Sequence, residues 1–242
     1  MRAAIFSDIH SNLFAFEAVL KDIKKRQVDK LICLGDIVGY GARPAECLKM
    51  VRKSGADVVM GNHDFYSATK ESLDWFNPVA AAGLLFSRKA LTAAQKKWLL
   101  QLPLFKNFDG FTVVHASLAD PKEWDYVTDD LMAHLHFLSQ ELPVCFIGHT
   151  HQVKTYRLEE GRVCKQALTK NLKLKKGVKY VINVGSVGQP RDNNPDSAYA
   201  IYDTVEGVVE FQRVSYPVDE AAAEIIQAGL PEHLGLRLRL GC

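Results

Sequence analysis

Five short clusters of acidic and imidazole-bearing residues recur through the first part of the chain. They are Asp8-Ile9-His10, Gly35-Asp36, Gly61-Asn62-His63-Asp64, Val114-His115-Ala116 and Gly148-His149-Thr150-His151. Five of the eight histidines fall inside them. Carboxylate, imidazole and amide oxygen together suit Mn, Fe or Zn better than Ca or Mg alone. An aspartate can bridge two cations, and an asparagine adds a carbonyl oxygen without adding charge. Taken singly, each cluster has an ordinary reading. Asp8, Asp36, Asn62 and Asp64 suit turns and helix caps. His115 suits a satisfied core histidine, and His149 and His151 point to one side of an extended segment. What sets the clusters apart is a shared position, because each follows directly on a short apolar run.

Those runs read as strands. Ala3–Phe6, Leu31–Leu34, Val58–Met60, Phe111–His115 and Val144–Ile147 are short and apolar. Between the first two, apolar residues at 13, 16, 19, 20 and 23 predict a helix over 13–25. Pro44 opens a second helix over 44–53. Strand, helix, strand, helix, strand implies a parallel sheet with right-handed crossovers. Loops at the C-terminal ends of such strands converge at one edge. Residues distant in sequence can therefore meet there.

Residues 65–102 predict a helical insert, broken near Asn77-Pro78 and before Thr92, and 129–140 predict a further helix. Beyond Gly148 the pattern turns antiparallel. Residues 153–158 and 162–166 alternate around Glu159-Glu160-Gly161, followed by strands over 180–184, 199–203 and 208–214 and a helix over 217–228. Two packed sheets suit this order better than one open sheet, so the expected class is α/β, with residues 1–242 as one domain. Lysine-rich 170–179 predicts a solvated loop. The tail from about 229 alternates apolar and basic residues over 234–240 and fits an edge strand, a dimer contact or a frayed end equally. A homo-oligomer is left open.

Composition narrows the function. Of 242 residues, 48% are hydrophobic, enough for one sizeable core. The net charge of +2 argues against a dedicated nucleic-acid binder. No run of apolar residues is long enough to span a membrane. The opening Met1–Phe6 turns polar at Ser7-Asp8, too early for a signal peptide, so the cytoplasm is expected. Five scattered cysteines read as free thiols in a reducing compartment.

The ordered set D-x-H, G-D, G-N-H-D, H and G-H-x-H resembles the calcineurin-like metallophosphoesterase superfamily. Ser7–Asn12, Gly35–Gly41 and Asn183–Ser186 look most like its small prokaryotic phosphodiesterase branch. The resemblance implies a four-layer α/β/β/α sandwich of two mixed sheets. It implies two divalent metal ions, Mn favoured over Fe or Zn. Asp8, His10 and His151 would hold one and Asn62, His115 and His149 the other, with Asp36 bridging. His63 would face the leaving-group oxygen, with Asp64 orienting its ring. The chain lacks the Val-Asp-Arg-Gly continuation of the Ser/Thr protein phosphatases after Gly35-Asp36, and Ala116 stands where relatives often have glycine.

The expected substrate is a small phosphoester or nucleotide whose phosphate Asn12 and Arg191 could touch. Phe65, Tyr66, Trp75 and Phe76 could wall a cleft and stack a base. A dinucleoside polyphosphate hydrolase is the alternative, with Arg43, Arg191 and Lys170–Lys179 available for extra phosphates. A non-catalytic scaffold on the same fold is a third reading, against which stands the retention of all seven ligand positions and His63.

Overall fold

In β1 (Arg2–Phe6), Ala3 and Ile5 face one way and Ala4 and Phe6 the other, and both faces are buried. A continuous apolar run predicts this, because a strand covered on both sides has no polar alternation. The computed structural model describes residues 1–167 and 169–242. Beside β1 lie the parallel β2 (Lys30–Cys33) and β3 (Asp57–Val58). On its other side run the antiparallel β11 (Ser197–Asp203), β12 (Val208–Val214) and β9 (Asn171–Lys173), giving the order β3-β2-β1-β11-β12-β9. The second sheet has the order β4-β5-β6-β10-β7-β8. Its strands are β4 (Phe105–Phe108), β5 (Phe111–Val114), β6 (Val144–Ile147), β7 (Val153–Glu159), β8 (Arg162–Gln166) and β10 (Lys179–Val184). Within it β5, β6 and β10 are parallel.

Three apolar cores separate four layers. Helices α1 (Leu13–Ile23) and α2 (Pro44–Ser54) cover the first sheet, packing Phe16, Val19 and Leu48 on Phe6 and Cys33. Ile5, Ile32 and Leu34 meet Phe111, Phe146 and Ile182 between the sheets. Helix α6 (Asp130–Ser139) covers the second sheet through Ala133 and Phe137. This is the expected α/β/β/α sandwich of two mixed sheets.

The 65–102 stretch resolves into α3 (Asn62–Ala68), α4 (Pro78–Ala90) and α5 (Ala93–Leu99), with Asn77 and Thr92 as N-caps at the two expected breaks. Four readings change. The Gly-Asn-His-Asp cluster is the first turn of α3, not a loop. Strands β4 and β9 were not anticipated: both are sheet edges, half exposed and carrying lysines. The 170–179 segment is thus partly strand, with Leu172 buried beneath it. The tail is the helix α8 (Glu232–Leu240), not an edge strand, packed on α7 (Val218–Gln227). Leu234 and Leu238, four residues apart, are buried, while Leu236 and Leu240 are exposed. Among the described residues no helix is long and apolar enough to cross a membrane.

His136 on α6 sets an acid limit on this core. It is fully buried, its Nδ1 accepts the Leu118 N–H at 3.2 Å, and its Nε2 has no partner. Burial holds its pKa down at about 3. The unfolded ring protonates near pH 6.5, so its stabilising contribution is complete above that pH and is lost as pH falls toward the folded value. The loss approaches about 1.4 kcal/mol per pH unit for one proton. His136→Asn keeps an acceptor for Leu118 but takes no proton. Urea unfolding between pH 7 and pH 4 is expected to show a shallower acid decline in the variant, whereas matching slopes would show that His136 does not carry it.

Candidate metal centre

The clusters emerge at one edge of both sheets, from the C-terminal ends of β1, β2, β5 and β6 and the turn after β3. Five of the residues are forced into the left-handed backbone region: Asp8, His10, Asp36, His149 and His151 have φ of 56°, 47°, 51°, 65° and 59°. Such conformations are costly for residues other than glycine, and they cluster where a structure aims side chains inward. Backbone hydrogen bonds over-determine the arrangement. Asp8 N–H donates to Gly35 O at 3.1 Å, His10 N–H to Asp36 O at 2.9 Å and Gly148 N–H to His115 O at 2.8 Å. Ser186 Oγ donates to Asp8 O at 2.9 Å. The glycines of the motifs are spacers. A Cβ at Gly61 would lie 2.2 Å from Asp36 Oδ1, and one at Gly148 would lie 2.5 Å from Asp8 Oδ2.

Two buried groups result. Asp8, His10 and His151 form one and Asp36, His115 and His149 the other, with the candidate ligand atoms of each within 4.8 Å of one another. His10 Nδ1 donates to Val38 O at 3.0 Å and His151 Nδ1 to Gln189 O at 2.6 Å. These backbone acceptors fix the tautomers, leaving both Nε2 atoms as lone pairs. The two Nε2 atoms nevertheless face each other at 3.0 Å. Burial pushes both rings toward the neutral form, in which neither Nε2 has a proton to share. Asp8 Oδ1, 3.3 Å from His151 Nε2, has no hydrogen-bond partner, and neither has His149 Nε2. Burial pushes the Asp8 and Asp36 carboxyls up, but the imidazoles beside them hold both well below the usual range. At His115 burial opposes the charge, while Asp36 and Asp8 outweigh it and push the ring up to about 9. Converging lone pairs and anions with unsatisfied atoms call for cations, and this donor set fits divalent ones.

Asp36 reaches both groups: its Oδ2 lies 3.5 Å from His10 Nε2 and 3.4 Å from His115 Nε2. Asn62 Oδ1 lies 3.2 Å from His115 Nε2, beside the second group. His149 and His151 do not lie on an extended segment; their left-handed backbones send them into different groups. His63 sits at the edge of the first group, its ring centroid 4.8 Å from that of His10 and 4.5 Å from that of Tyr40.

Two expectations need correction. Asp64 does not touch the His63 ring. Its Oδ1 accepts the Ile37 and Val38 N–H groups at 2.9 and 3.3 Å, and its Oδ2 accepts that of Gly61 at 3.1 Å. Consecutive residues in a helical turn point in different directions, so Asp64 clamps the loop after Asp36 instead. Burial and the Asp36 charge push its carboxyl upward. Asn12 is committed at both ends of its amide. Its Oδ1 caps α1 by accepting the Ala15 N–H at 3.1 Å, and its Nδ2 donates to Gly188 O at 2.9 Å.

A cleft of about 520 Å³ opens beside both groups, walled by Tyr40, Tyr66, Trp75, Phe76, Trp124 and Tyr126. Arg191 lines it, with its guanidinium 5.5 Å over the Tyr40 ring. Phe65 does not; it faces a separate apolar hollow. Sequence reasoning missed Trp124, Tyr126, His233 and Arg237. The Tyr126 ring stacks on His149 with centroids 3.9 Å apart. The run Trp124-Asp125-Tyr126 in an otherwise polar loop was the available signal; nothing in the tail marked Arg237.

Fold and centre together define a metallophosphoesterase. The chain matches the calcineurin-like phosphoesterase superfamily domain over residues 1–207 and belongs to that family. It is thereby a phosphoric ester hydrolase by class. It is 40% identical to an uncharacterized protein of Methanocaldococcus jannaschii, over 98% of this chain and 97% of that one. The structure of a metallophosphoesterase from Sphaerobacter thermophilus superposes with a TM-score of 0.87 at 40% identity, covering 100% of this chain and 99% of that one. A symmetrical bis(5'-nucleosyl)-tetraphosphatase of Actinobacillus pleuropneumoniae is 29% identical over 52% of this chain and 47% of its own length.

Proposed function

We propose that the protein is a dinuclear metal-dependent phosphodiesterase acting on a small nucleotide-like substrate. The observation that carries this reading is the pair of buried, electron-rich groups sharing Asp36 at the foot of an aromatic-walled cleft. Asp8, His10 and His151 would hold one cation and Asn62, His115 and His149 the other, with Asp36 between them. Imidazole, carboxylate and amide donors without thiolate suit Mn, Fe or Zn, and we favour Mn. When bound, the two cations supply positive charge to the phosphate oxygens and lower the pKa of the attacking water.

The protein's own groups do the rest. Asp36 accepts the His63 backbone N–H at 2.8 Å, which ties the position of that residue to the carboxylate. His63 donates a proton to the leaving oxygen. Burial pushes its pKa down to about 4, opposed by Asp36, and a phosphate charge brought into the cleft favours its protonated form. Arg191 orients the phosphate, and Trp75, 68% exposed, offers a face for a base. The five cysteines are unpaired, in keeping with a reducing compartment, the cytoplasm.

Hydrolysis of bis-p-nitrophenyl phosphate by metal-stripped protein, with and without Mn²⁺, tests the reading. Mn²⁺-dependent release of p-nitrophenol is expected. Cleavage of the mono-ester alone would replace it with a phosphomonoesterase, and failure to bind any transition metal would leave the scaffold.

The polyphosphate alternative finds support in the tetraphosphatase relatives, and of the cations the sequence offered for it Arg191 lines the cleft, whereas Arg43 and the lysine-rich segment do not. Arg43 is held by Glu224 and Glu46 on the surface, and Lys170–Lys179 does not line the cleft. Any cation for further phosphates besides Arg191 must come from elsewhere.

A further inference from the structure

Helix α8 lies beyond the residues matched by the family domain, yet it forms part of the cleft. His233 and Arg237, four residues apart, share one helix face and line the cavity. The adjoining face buries Leu234 and Leu238 in a core with Tyr40, Ala80 and Ile225. Gly235 allows this docking, since a Cβ there would lie 2.7 Å from Ala222 O. The end of the helix is tied to the loop that carries Arg191: Asn193 N–H donates to Gly241 O at 2.8 Å. The two arginines are therefore held by one connected structure.

Neighbouring arginines have carboxylate partners from α7: Arg43 pairs with Glu224, and Arg239 with Asp219 at 2.6 Å. Among the described residues, neither Arg191 nor Arg237 pairs with a carboxylate side chain. Arg191 donates to the neutral Gln189 amide at 2.8 Å, and its Nε is buried without a partner. Arg237 lines the cleft and donates through Nε to a carboxyl oxygen of Cys242, the last residue, with no hydrogen bond from its terminal nitrogens among the described residues. Burial and then the Arg191 charge lower the Arg237 pKa, and Tyr40 and Cys242 oppose them without cancelling them. Among the described residues Glu123 is the one carboxylate side chain on the cleft wall. Arg191 stands over the Tyr40 ring, which itself lies beside the His10 and His63 rings, so the guanidinium is placed next to the first group.

We infer that Arg237 and Arg191 form an anion subsite for a second phosphate next to the one cleaved, making α8 a specificity element for substrates with a phosphate chain. The inference rests on the phosphoesterase reading and refines its substrate class. Planar guanidinium forks match phosphate oxygens.

The test compares binding of ADP and AMP to the Mn²⁺-loaded protein at fixed excess Mn²⁺, read by quenching of the cleft tryptophans Trp75 and Trp124. ADP is expected to bind about ten-fold more tightly than AMP, roughly the worth of one charge-assisted hydrogen bond. Arg237→Gln should erase most of that preference and Arg237→Lys restore part of it. Arg239→Gln, on the same helix but outside the cleft, should leave it intact. Equal binding of ADP and AMP by the unaltered protein, or an undiminished preference in Arg237→Gln with its melting temperature intact, would overturn the subsite. Loss of bis-p-nitrophenyl phosphate hydrolysis in the unaltered protein would instead overturn the diesterase reading, which keeps the two failures distinct.

Discussion

Asp36→Asn is expected to lower Mn²⁺-dependent diester hydrolysis by about 10³-fold or more. That corresponds to losing several kcal/mol of charge stabilisation at the phosphate. The substitution preserves shape, and the new amide can still accept the His63 N–H, so the fold should persist. What changes is the charge shared by both groups. The Asp36 carboxylate is 1% exposed and lies within 3.5 Å of a histidine from each group. An amide NH₂ placed there would aim donors at lone pairs that should meet a cation. Metal content should fall below two ions per chain. A ligand that binds only the folded state at 100 times its dissociation constant adds about 2.7 kcal/mol, so Mn²⁺ should raise the melting temperature of the unaltered protein far more than that of the variant. Full activity with two bound ions in Asp36→Asn would remove the bridging role.

The two buried groups were legible in the sequence because each residue proposed as a ligand lies within four residues of a strand end. A parallel strand fixes where its C-terminal loop emerges, and the chemistry-bearing residues of these loops are few and distinctive. The strained backbone does not hide them, since strain changes direction and not residue type. What could not be read was orientation one residue at a time. Asn12 stands two residues after His10, but the start of α1 turns its amide away to cap the helix. Asp64 adjoins His63, but the helical turn aims it at the backbone of Ile37 and Val38.

The tail failed for a different reason. Leucines at 234, 236, 238 and 240 read as a period of two, and a helix that buries only 234 and 238 shows the same letters. Arg237 reaches the cleft through the packing of α8 on α7 and the absence of a side chain at Gly235. No local pattern records such a docking. Of the cations that stand out in sequence for extra phosphates, Arg191 lines the cleft, while Arg43 is paired with Glu224 and Glu46 and Lys170–Lys179 lies off the cleft.

His63→Ala separates binding from proton transfer. His63 adjoins the first group without belonging to either set of converging ligand atoms. Its Nδ1 is buried without a hydrogen-bond partner, and the ring lies on the cleft wall. Removing it should leave two ions bound and lower kcat by about 10²–10⁴-fold, the range for one positioned general acid. KM should change little if the imidazole acts mainly in the transition state. The size of the loss should depend on the leaving group. Nitrophenolate departs with little need of a proton, so bis-p-nitrophenyl phosphate should show the smaller deficit. A diester whose leaving group is a nucleoside alkoxide depends on proton donation and should show the larger one. Equal deficits on both would mean that His63 stabilises charge without delivering a proton. Loss of both ions in a folded His63→Ala protein would mean that the division between ligands and proton donor is wrong.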